Sequence, residues 1–313
     1  MSVTAHAHPN IALVKYWGKA PRPGNVPAAP SLSITLDSLT TTTTVRITGS
    51  ADAIYLNDQP ASDAKIAACL DNLRRRFDIP PLEIRTSNDF PTAAGLASSA
   101  SGFAALVTAV DAACDLGLSA AARSGLARQA SASAARSLFG GFVTLDEPDW
   151  QGRPLLDAES WPLEVVVAVT DEASKSVSST AGMRASAASP YFPAWVESTR
   201  TDFAAAQAAV DQRDFERLSD IAEHSCLKMH GLMLATRPGL MYWNPATLAC
   251  LQRIRELRAA GLAVFFTVDA GPQVKAVCLP ASRRQVAEAL ADVPGVRSLL
   301  TTGLGRGAWV EAP

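Results

Sequence analysis

A run of small residues between positions 91 and 100 has the composition of a phosphate-binding segment. The run is Pro91-Thr92-Ala93-Ala94-Gly95-Leu96-Ala97-Ser98-Ser99-Ala100. Gly95 has no Cβ, so the backbone there can approach a ligand closely, and Ser98 and Ser99 can cap a helix whose first N–H groups have no intrahelical partner. Such a helix end favours an anion. The segment predicts a phosphate cradle and a nucleotide-using enzyme, although a tight, well-capped connection would have the same composition.

Two lysines lie close together near the start of the sequence. Lys15 and Lys19 flank Tyr16-Trp17-Gly18, which places two ammonium groups near one turn. Clustered ammonium groups repel one another unless an anion binds them, so we expect a ligand that carries phosphate or carboxylate. The alternative is a pair of ordinary surface lysines.

A third group of polar residues lies in the segment Ser131-Ala132-Ser133-Ala134-Ala135-Arg136. On a helix, Arg136 shares a face with Ser133 three residues earlier. A guanidinium binds a carboxylate or a phosphate through two parallel hydrogen bonds. The segment therefore indicates an anion site or, alternatively, a solvated helix face with an ordinary polar pair.

An acidic turn follows an apolar strand late in the sequence. Residues 262–268 form the apolar run, and Asp269-Ala270-Gly271-Pro272 follows it. A carboxylate in that place has a fixed backbone and an apolar floor beneath it, which suits a catalytic base or a group that orients a substrate hydroxyl. Aspartate is also common in ordinary turns, so both interpretations stay open.

The elements that must position these residues alternate between strands and helices in both halves of the chain. Residues 31–36 alternate apolar and polar side chains, and the threonine run at 40–44 leads into Val-Arg-Ile, so both predict strands. Residues 119–137 predict mostly one helix. Residues 146–162 are polar and broken by proline and glycine, which indicates an excursion or a domain joint. The predicted class is mixed α and β.

Composition excludes several classes of protein. A length of 313 residues suggests one large or two modest domains, and a net charge of −2 gives no broad attraction to nucleic acid or to an acidic membrane. The odd number of widely spaced cysteines argues against a disulfide framework or a zinc site. No signal pattern and no apolar run of about 18 residues is present. We therefore expect a cytoplasmic protein that binds neither nucleic acid nor membranes. The cysteines are Cys69, Cys114, Cys226, Cys250 and Cys278.

Taken in order, these segments resemble the mevalonate diphosphate decarboxylase family of the GHMP kinase superfamily, with its phosphomevalonate branch as a variant. The resemblance covers most of the chain. It is carried by residues 10–19, 31–36, 88–100 and 136–142, by Val177-Ser178-Ser179-Thr180 with Gly182-Met183, and by Asp269-Ala270-Gly271-Pro272.

The resemblance implies an α+β, GHMP kinase-like fold with two domains. The N-terminal domain, expected at residues 1–162, would carry a left-handed βαβ unit, contrary to the usual right-handed rule. The C-terminal domain, expected at residues 163–313, would be a smaller α/β sandwich. The active site would lie in the cleft between them, and a homodimer is expected because the family often forms one.

The resemblance also implies the chemistry. The γ-phosphoryl group of ATP would pass to the tertiary 3-hydroxyl of 5-diphosphomevalonate, and loss of that phosphate with CO2 would give isopentenyl diphosphate. Magnesium would bridge ATP oxygens, and no protein metal ligands are expected. The implied catalytic residues are Asp269, Lys15 and Arg136, the last holding the C1 carboxylate. Contacts to substrate are implied for Tyr16, Lys19, Ser131, Ser133 and Arg136. ATP contacts are implied for Pro91, Ala94, Gly95, Leu96, Ala97, Ser98, Ser99 and Ser179.

Two residues depart from the family pattern. The family has glycines flanking its two serines, whereas this chain has Ala130 and Ala132, and the family's asparagine after the acidic turn is Gln273 here. Both changes predict a narrower site for the terminal phosphates. The alternatives that stay open are therefore a decarboxylase of 5-phosphomevalonate, which would give isopentenyl phosphate, and a mevalonate 3-kinase that releases no CO2. A catalytically silent binding protein on the same fold is a third alternative.

Overall fold

The computed structural model describes residues 2–90, 98–173 and 176–312. Its strands are β1 (Ser2–Ala7), β2 (Asn10–Val14), β3 (Ser31–Thr35), β4 (Thr41–Ile47), β5 (Ala53–Leu56), β6 (Gln59–Pro60), β7 (Leu82–Asn88), β8 (Phe142–Leu145), β9 (Gly152–Leu156), β10 (Glu164–Val169), β11 (Val264–Thr267), β12 (Val274–Cys278), β13 (Ser298–Gly303) and β14 (Trp309–Val310). Its helices are α1 (Ala64–Arg74), α2 (Ser98–Ala113), α3 (Ala120–Ala130), α4 (Ala134–Ser137), α5 (Ser179–Ser186), α6 (Phe192–Gln212), α7 (Phe215–Leu234), α8 (Pro245–Ala259) and α9 (Arg283–Ala291). Across the described ranges, no helix is both long and apolar enough to cross a membrane.

The first sheet has the strand order β14-β1-β4-β7-β5-β6. The threonine run forms its strand β4, as predicted, because β-branched side chains suit a pleated surface that is buried on one side. Strands β5 and β7 are parallel neighbours connected through β6 and α1, so the sheet contains a βαβ unit. Its handedness stays a prediction. Helix α2 packs against β1 and β4 and places its N-terminus near the end of this sheet.

Two further sheets form the rest of the α+β architecture, with strand orders β2-β3-β8-β9 and β11-β12-β10-β13. One apolar core joins them, because side chains from β2, β3 and β8 pack with α6, α7 and the inner face of β10, β11 and β12. Leu13, Ile34, Phe142, Val167 and Phe265 are all fully buried in this core. The two halves of the chain therefore share one apolar core.

Two parts of the chain differ from the sequence prediction. The predicted helix over residues 119–137 is interrupted at residues 131–133, and the polar excursion at 146–162 contains β9, which pairs with β8. Strand β9 has Pro154 and an exposed edge, features that reduce the sequence signal of a strand. The interruption has a functional consequence, because it exposes Ser131 and Ser133 at the end of α3.

The end of the described chain returns to the first sheet. After β13 the backbone runs beside β3 and reaches β14, which pairs with β1. On the way, the N–H of Gly305 donates to the Thr35 carbonyl at 2.9 Å, and the Gly305 carbonyl accepts from the N–H of Gly141 at 2.9 Å. A Cβ on Gly305 would overlap the carbonyl oxygen of Leu36. Glycine is needed here because backbones from both halves of the chain meet without room for a side chain.

We expect Gly305→Ala to lower the free energy of unfolding by about 1–3 kcal/mol, as overpacking typically does. The matched control is Gly231→Ala, at an exposed position inside α7 where an added Cβ meets no atom within 4 Å. That variant should be about 0.5–1 kcal/mol more stable, because alanine favours a helix interior over glycine. Urea unfolding followed by circular dichroism measures both. Equal stability of the two variants would contradict the close packing described for residue 305.

Candidate active site

A cavity of about 430 Å³ lies where the second and third sheets meet the N-termini of α2 and α5. Every predicted site residue within the described part of the chain lines it. These residues are Lys15, Tyr16, Lys19, Ser98, Ser99, Ser131, Ser133, Arg136, Ser179 and Asp269. The predicted ATP contacts Pro91, Ala94, Gly95, Leu96 and Ala97 lie outside the described residues.

Asp269 is the acidic residue of this cavity, and two lysines hold its carboxylate. It lies two residues after the end of β11, while Lys15 directly follows β2 and Lys275 lies within β12. Lys15 Nζ lies 2.8 Å from Asp269 Oδ1, and Lys275 Nζ lies 3.1 Å from Oδ2. Burial alone would raise the pKa of Asp269, but the charges and hydrogen bonds of the two lysines outweigh it and hold the pKa well below its ordinary value. The carboxylate is therefore ionised and fixed.

Lys15 and Lys275 are buried, with exposures of 1% and 2%. The structure therefore excludes the interpretation of Lys15 as an ordinary surface lysine. The sequence prediction missed Lys275, although a signal was present, because it is the charged residue in the apolar strand Val274–Cys278. A charge in such a strand is costly without a partner.

The backbone carbonyl of Asp269 is in contact with a buried histidine. Nε2 of His230, on α7, lies 2.9 Å from the Asp269 carbonyl oxygen. Burial first, and then the charge of Lys15, lower the pKa of His230 to about 3, so the ring is neutral at physiological pH. His230 was also missed, since a single histidine in an amphipathic helix is not distinguishable from a core residue by its spacing.

Arg136 lies on the short helix α4 and is 2% exposed. Its guanidinium donates to Ser33 Oγ at 2.9 Å, to Ser31 Oγ at 2.6 Å and to Asn10 Oδ1 at 3.1 Å. This explains why β3 is buried on both faces, because the polar positions of its alternating pattern bind the arginine. Burial lowers the pKa of Arg136 to about 10, while the negative charge of Asp269 acts in the opposite direction.

The positive charge of Arg136 is not neutralised by a direct ion pair. Among residues 2–90, 98–173 and 176–312, no carboxylate lies within 4.0 Å of its guanidinium, and the hydrogen-bond acceptors around it are uncharged. A buried guanidinium with neutral partners is a strong site for an external anion.

Ser133 and Arg136 lie one helical turn apart, because the N–H of Arg136 donates to the Ser133 carbonyl at 3.2 Å, and both residues line the cavity. Ser133 precedes α4 as its N-cap residue, because the helix is interrupted after Ala130. Ser131 Oγ and Ser133 Oγ lie 3.1 Å apart and both face the cavity. The interruption therefore brings both hydroxyls to the cavity, which a continuous helix would not do.

A second cavity, of about 200 Å³, is contiguous with the first through Lys65, Ser98 and Ser99. Its far wall is apolar and includes Ile84 and Phe103. Lys65 is the second residue of α1 and was missed, because the sequence offers no reason to bring that helix to this cavity. Near the shared wall, burial first, and then the charges of Arg184 and Lys65, lower the pKa of Lys19.

Two helix N-termini reach the main cavity. Ser98 is the first residue of α2, and Ser179 is the first residue of α5, which Ser178 caps by accepting from the N–H of Ala181 at 3.2 Å. With Lys65 and the serine hydroxyls, these helix ends supply the donors that a triphosphate requires.

Gln273 does not bear on the fit of a substrate. It is fully buried, its Oε1 accepts from the N–H of Thr170 at 2.7 Å, and its Nε2 donates to the carbonyl of Asp171. The prediction that its extra methylene narrows the site was wrong, because the side chain ties β12 to the end of β10. Ala130 and Ala132, in contrast, line the cavity.

A protein metal centre is not seen in the described part of the chain, where no group of three or more His, Cys, Asp and Glu side chains is placed to bind a metal ion. The donors that line the cavity are lysines, an arginine and hydroxyls, and these suit the phosphates of a nucleotide.

Comparisons with known proteins match both halves of the chain. The sequence model of the diphosphomevalonate decarboxylase-like N-terminal domain matches residues 7–152, and that of the mevalonate 5-diphosphate decarboxylase C-terminal domain matches residues 165–300. A diphosphomevalonate decarboxylase of Aspergillus fumigatus is 36% identical over 301 residues, which cover 86% of this chain and 74% of the relative. The enzyme of the same name from Saccharomyces cerevisiae is 34% identical over 302 residues, covering 87% and 76%.

Solved structures of the same family are also similar to this chain. The mevalonate diphosphate decarboxylase of Staphylococcus aureus superposes with a TM-score of 0.93 at 34% identity, covering 99% of this chain and 98% of the other. The Enterococcus faecalis enzyme gives a TM-score of 0.90 at 34% identity, covering 100% and 99%. A complex described as MDDEF with MVAPP, AMPPCP and magnesium gives 0.91 at 35%, with the same coverage. These similarities extend over both halves of the fold and the cavity between them, and the chain therefore belongs to the diphosphomevalonate decarboxylase family.

Proposed function

We propose that this chain catalyses the ATP-dependent decarboxylation of 5-diphosphomevalonate to isopentenyl diphosphate, with release of ADP, phosphate and CO2. The observation that carries the proposal is that one cavity joins an ionised aspartate, held by two lysines, to a buried arginine whose charge has neutral partners. Relatives that share the fold carry the name of this activity, and one neighbour was solved with MVAPP, AMPPCP and magnesium.

The C1 carboxylate of the substrate is assigned to Arg136. The guanidinium has the fixed, planar donor geometry that binds a carboxylate, and Ser31, Ser33 and Asn10 prevent it from turning away.

The 3-hydroxyl is assigned to Asp269. A carboxylate held between two ammonium groups is a weak base, so its principal role is to accept the hydroxyl hydrogen bond and to direct the oxygen toward the γ-phosphorus. Lys15 contacts the same carboxylate from the cavity wall and can neutralise charge that develops on the transferred phosphoryl group.

The phosphates are assigned to the donors at the other end of the cavity. Lys19, Tyr16, Ser131 and Ser133 would bind the 5-diphosphate, and Ser98, Ser99, Ser179 and Lys65 would bind ATP, with the nucleoside in the second, partly apolar cavity. Magnesium, when bound with ATP, offsets charge on the phosphate oxygens.

The order of events follows from leaving-group chemistry. A tertiary hydroxyl leaves poorly, whereas its phosphate ester leaves well, so phosphorylation at C3 must precede loss of CO2. Departure of the 3-phosphate makes C3 electron-deficient, and the electron pair of the C1–C2 bond then forms the C2–C3 double bond as CO2 is released. Arg136 holds the carboxylate in place throughout.

We further propose that the chain divides into domains at residues 1–162 and 163–313, with β14 returning from the second domain to the sheet of the first. The division agrees with the bounds of the two family matches.

A cytoplasmic location is favoured by five cysteines that are all unpaired. A homodimer is proposed from the family resemblance, with the exposed apolar side chains Tyr191 and Met241 as candidate contacts.

The substrate test uses mevalonate, 5-phosphomevalonate and 5-diphosphomevalonate, with ADP and trapped CO2 measured in parallel. We expect equal amounts of ADP and CO2 and the highest kcat/KM with 5-diphosphomevalonate. Because Ala130 and Ala132 line the cavity, a higher kcat/KM with 5-phosphomevalonate would instead assign the monophosphate as the substrate. ADP without CO2 would indicate a 3-kinase, and no product would indicate a silent relative.

We expect Asp269→Asn to reduce kcat by at least about 100-fold, because the hydroxyl loses its anionic acceptor. The dissociation constant of an ATP analogue, measured by calorimetry, should change less than about twofold, since Asp269 lies away from the second cavity. Asp292→Asn, at an exposed position after α9, is the control for carboxylate loss elsewhere. Equal losses of nucleotide affinity and of rate would contradict the assigned role.

We expect Arg136→Met to raise KM for 5-diphosphomevalonate by about 10- to 100-fold, because one charged hydrogen-bonded contact contributes about 1.5–3 kcal/mol. Affinity for the ATP analogue should be retained. Steady-state kinetics with calorimetry on the same preparation separates the two effects. An unchanged KM would show that the carboxylate binds elsewhere.

A further inference from the structure

Lys275 is a charged residue at the centre of a buried sheet. All five residues of β12 are buried, and Lys275 lies opposite Val167 on one neighbouring strand and Thr267 on the other. An isolated ammonium group in this place would be strongly destabilising. The fold must therefore supply a partner for its charge.

Asp269 is that partner, and the contact uses the carboxylate oxygen that Lys15 does not hold. Lys15 Nζ lies 2.8 Å from Oδ1, whereas Lys275 Nζ lies 3.1 Å from Oδ2. With both oxygens held from different directions, the carboxylate cannot rotate about its Cβ–Cγ bond without breaking an ion pair. With a single lysine, one oxygen would have no ion pair, and that rotation would break fewer contacts.

Lys275 does not line the substrate cavity, whereas Asp269 and Lys15 do. Its effect on a substrate must therefore pass through Asp269. The side chain of Asp269 is about a quarter exposed, with the exposed part toward the cavity, and Lys275 is 2% exposed behind it.

We propose that Lys275 is a positioning residue that fixes the orientation of the Asp269 carboxylate and keeps it ionised when the anionic substrate binds. This proposal deepens the function proposed above and rests on it. A substrate that brings a carboxylate and a diphosphate into the cavity would raise the proton affinity of Asp269 by like-charge repulsion. Two lysines rather than one provide the excess positive charge that opposes this effect.

The test is Lys275→Met, which keeps the unbranched apolar part of the side chain and removes its charge. We expect kcat with 5-diphosphomevalonate to fall about 10- to 100-fold, with affinity for the ATP analogue unchanged. We also expect the acidic limb of the pH profile of kcat to move to higher pH by about one unit, because an opposite charge at this distance lowers a carboxyl pKa by at least that amount. Lys275→Gln, which retains a donor without the charge, is measured beside it in case the methionine variant does not fold.

A double-mutant cycle separates positioning from a purely structural role. In the Asp269→Asn background, Lys275→Met should change the residual kcat with 5-diphosphomevalonate less than about twofold, because its effect on the reaction passes through the carboxylate. Additive losses in the cycle, or an acidic limb that does not move, would overturn the proposal. The wild-type assay is independent of this cycle, so failure of the proposed decarboxylation would be seen as absent CO2 release by the unmodified enzyme.

Discussion

The ion pairs of Asp269 are the constraint on which the site depends. Lys15 comes from the N-terminal half of the chain and Lys275 from a strand of the C-terminal sheet, so one carboxylate links the two halves at the floor of the cavity. Each lysine would be destabilising in its buried place without a charge partner. The same contacts that make these charges compatible with folding leave the carboxylate ionised and oriented. Stability and chemistry therefore require the same three residues in the same geometry.

The surrounding charges follow from this arrangement. In the described lining of the cavity, Lys15, Lys19, Lys65 and Arg136 face a single acidic residue. The excess positive charge suits a ligand pair that carries several phosphates and a carboxylate. Arg136 differs from the lysines because its partners are neutral hydroxyl and amide groups, which position the guanidinium without neutralising it. The site is thus divided into a place for a carboxylate, a place for a hydroxyl and a region for phosphates.

Many of the strands and most of the site residues could be predicted from the sequence, because local hydrophobic patterns indicate the strands and short motifs indicate the candidate residues. The alternation in β3 predicted its strand, and the apolar run before Asp269 predicted β11. What the sequence could not show is long-range partnership. The serines of β3 indicate only a strand, and their role as hydrogen-bond acceptors for Arg136 is visible only in the structure. In the same way, the sequence shows Lys275 only as a charge in an apolar strand, whereas the structure places its Nζ 3.1 Å from Asp269 Oδ2. The helix break at residues 131–133 was missed because alanine-rich sequence around it favours helix, and tertiary contacts decide against it.

The most direct measurement is a crystal structure of this protein with 5-diphosphomevalonate and a non-hydrolysable ATP analogue. The proposed geometry predicts the C1 carboxylate within hydrogen-bond distance of the Arg136 guanidinium. It also predicts the 3-hydroxyl on the Asp269 carboxylate, with both lysine contacts retained. A diphosphate bound at Arg136, or a 3-hydroxyl directed away from Asp269, would contradict it.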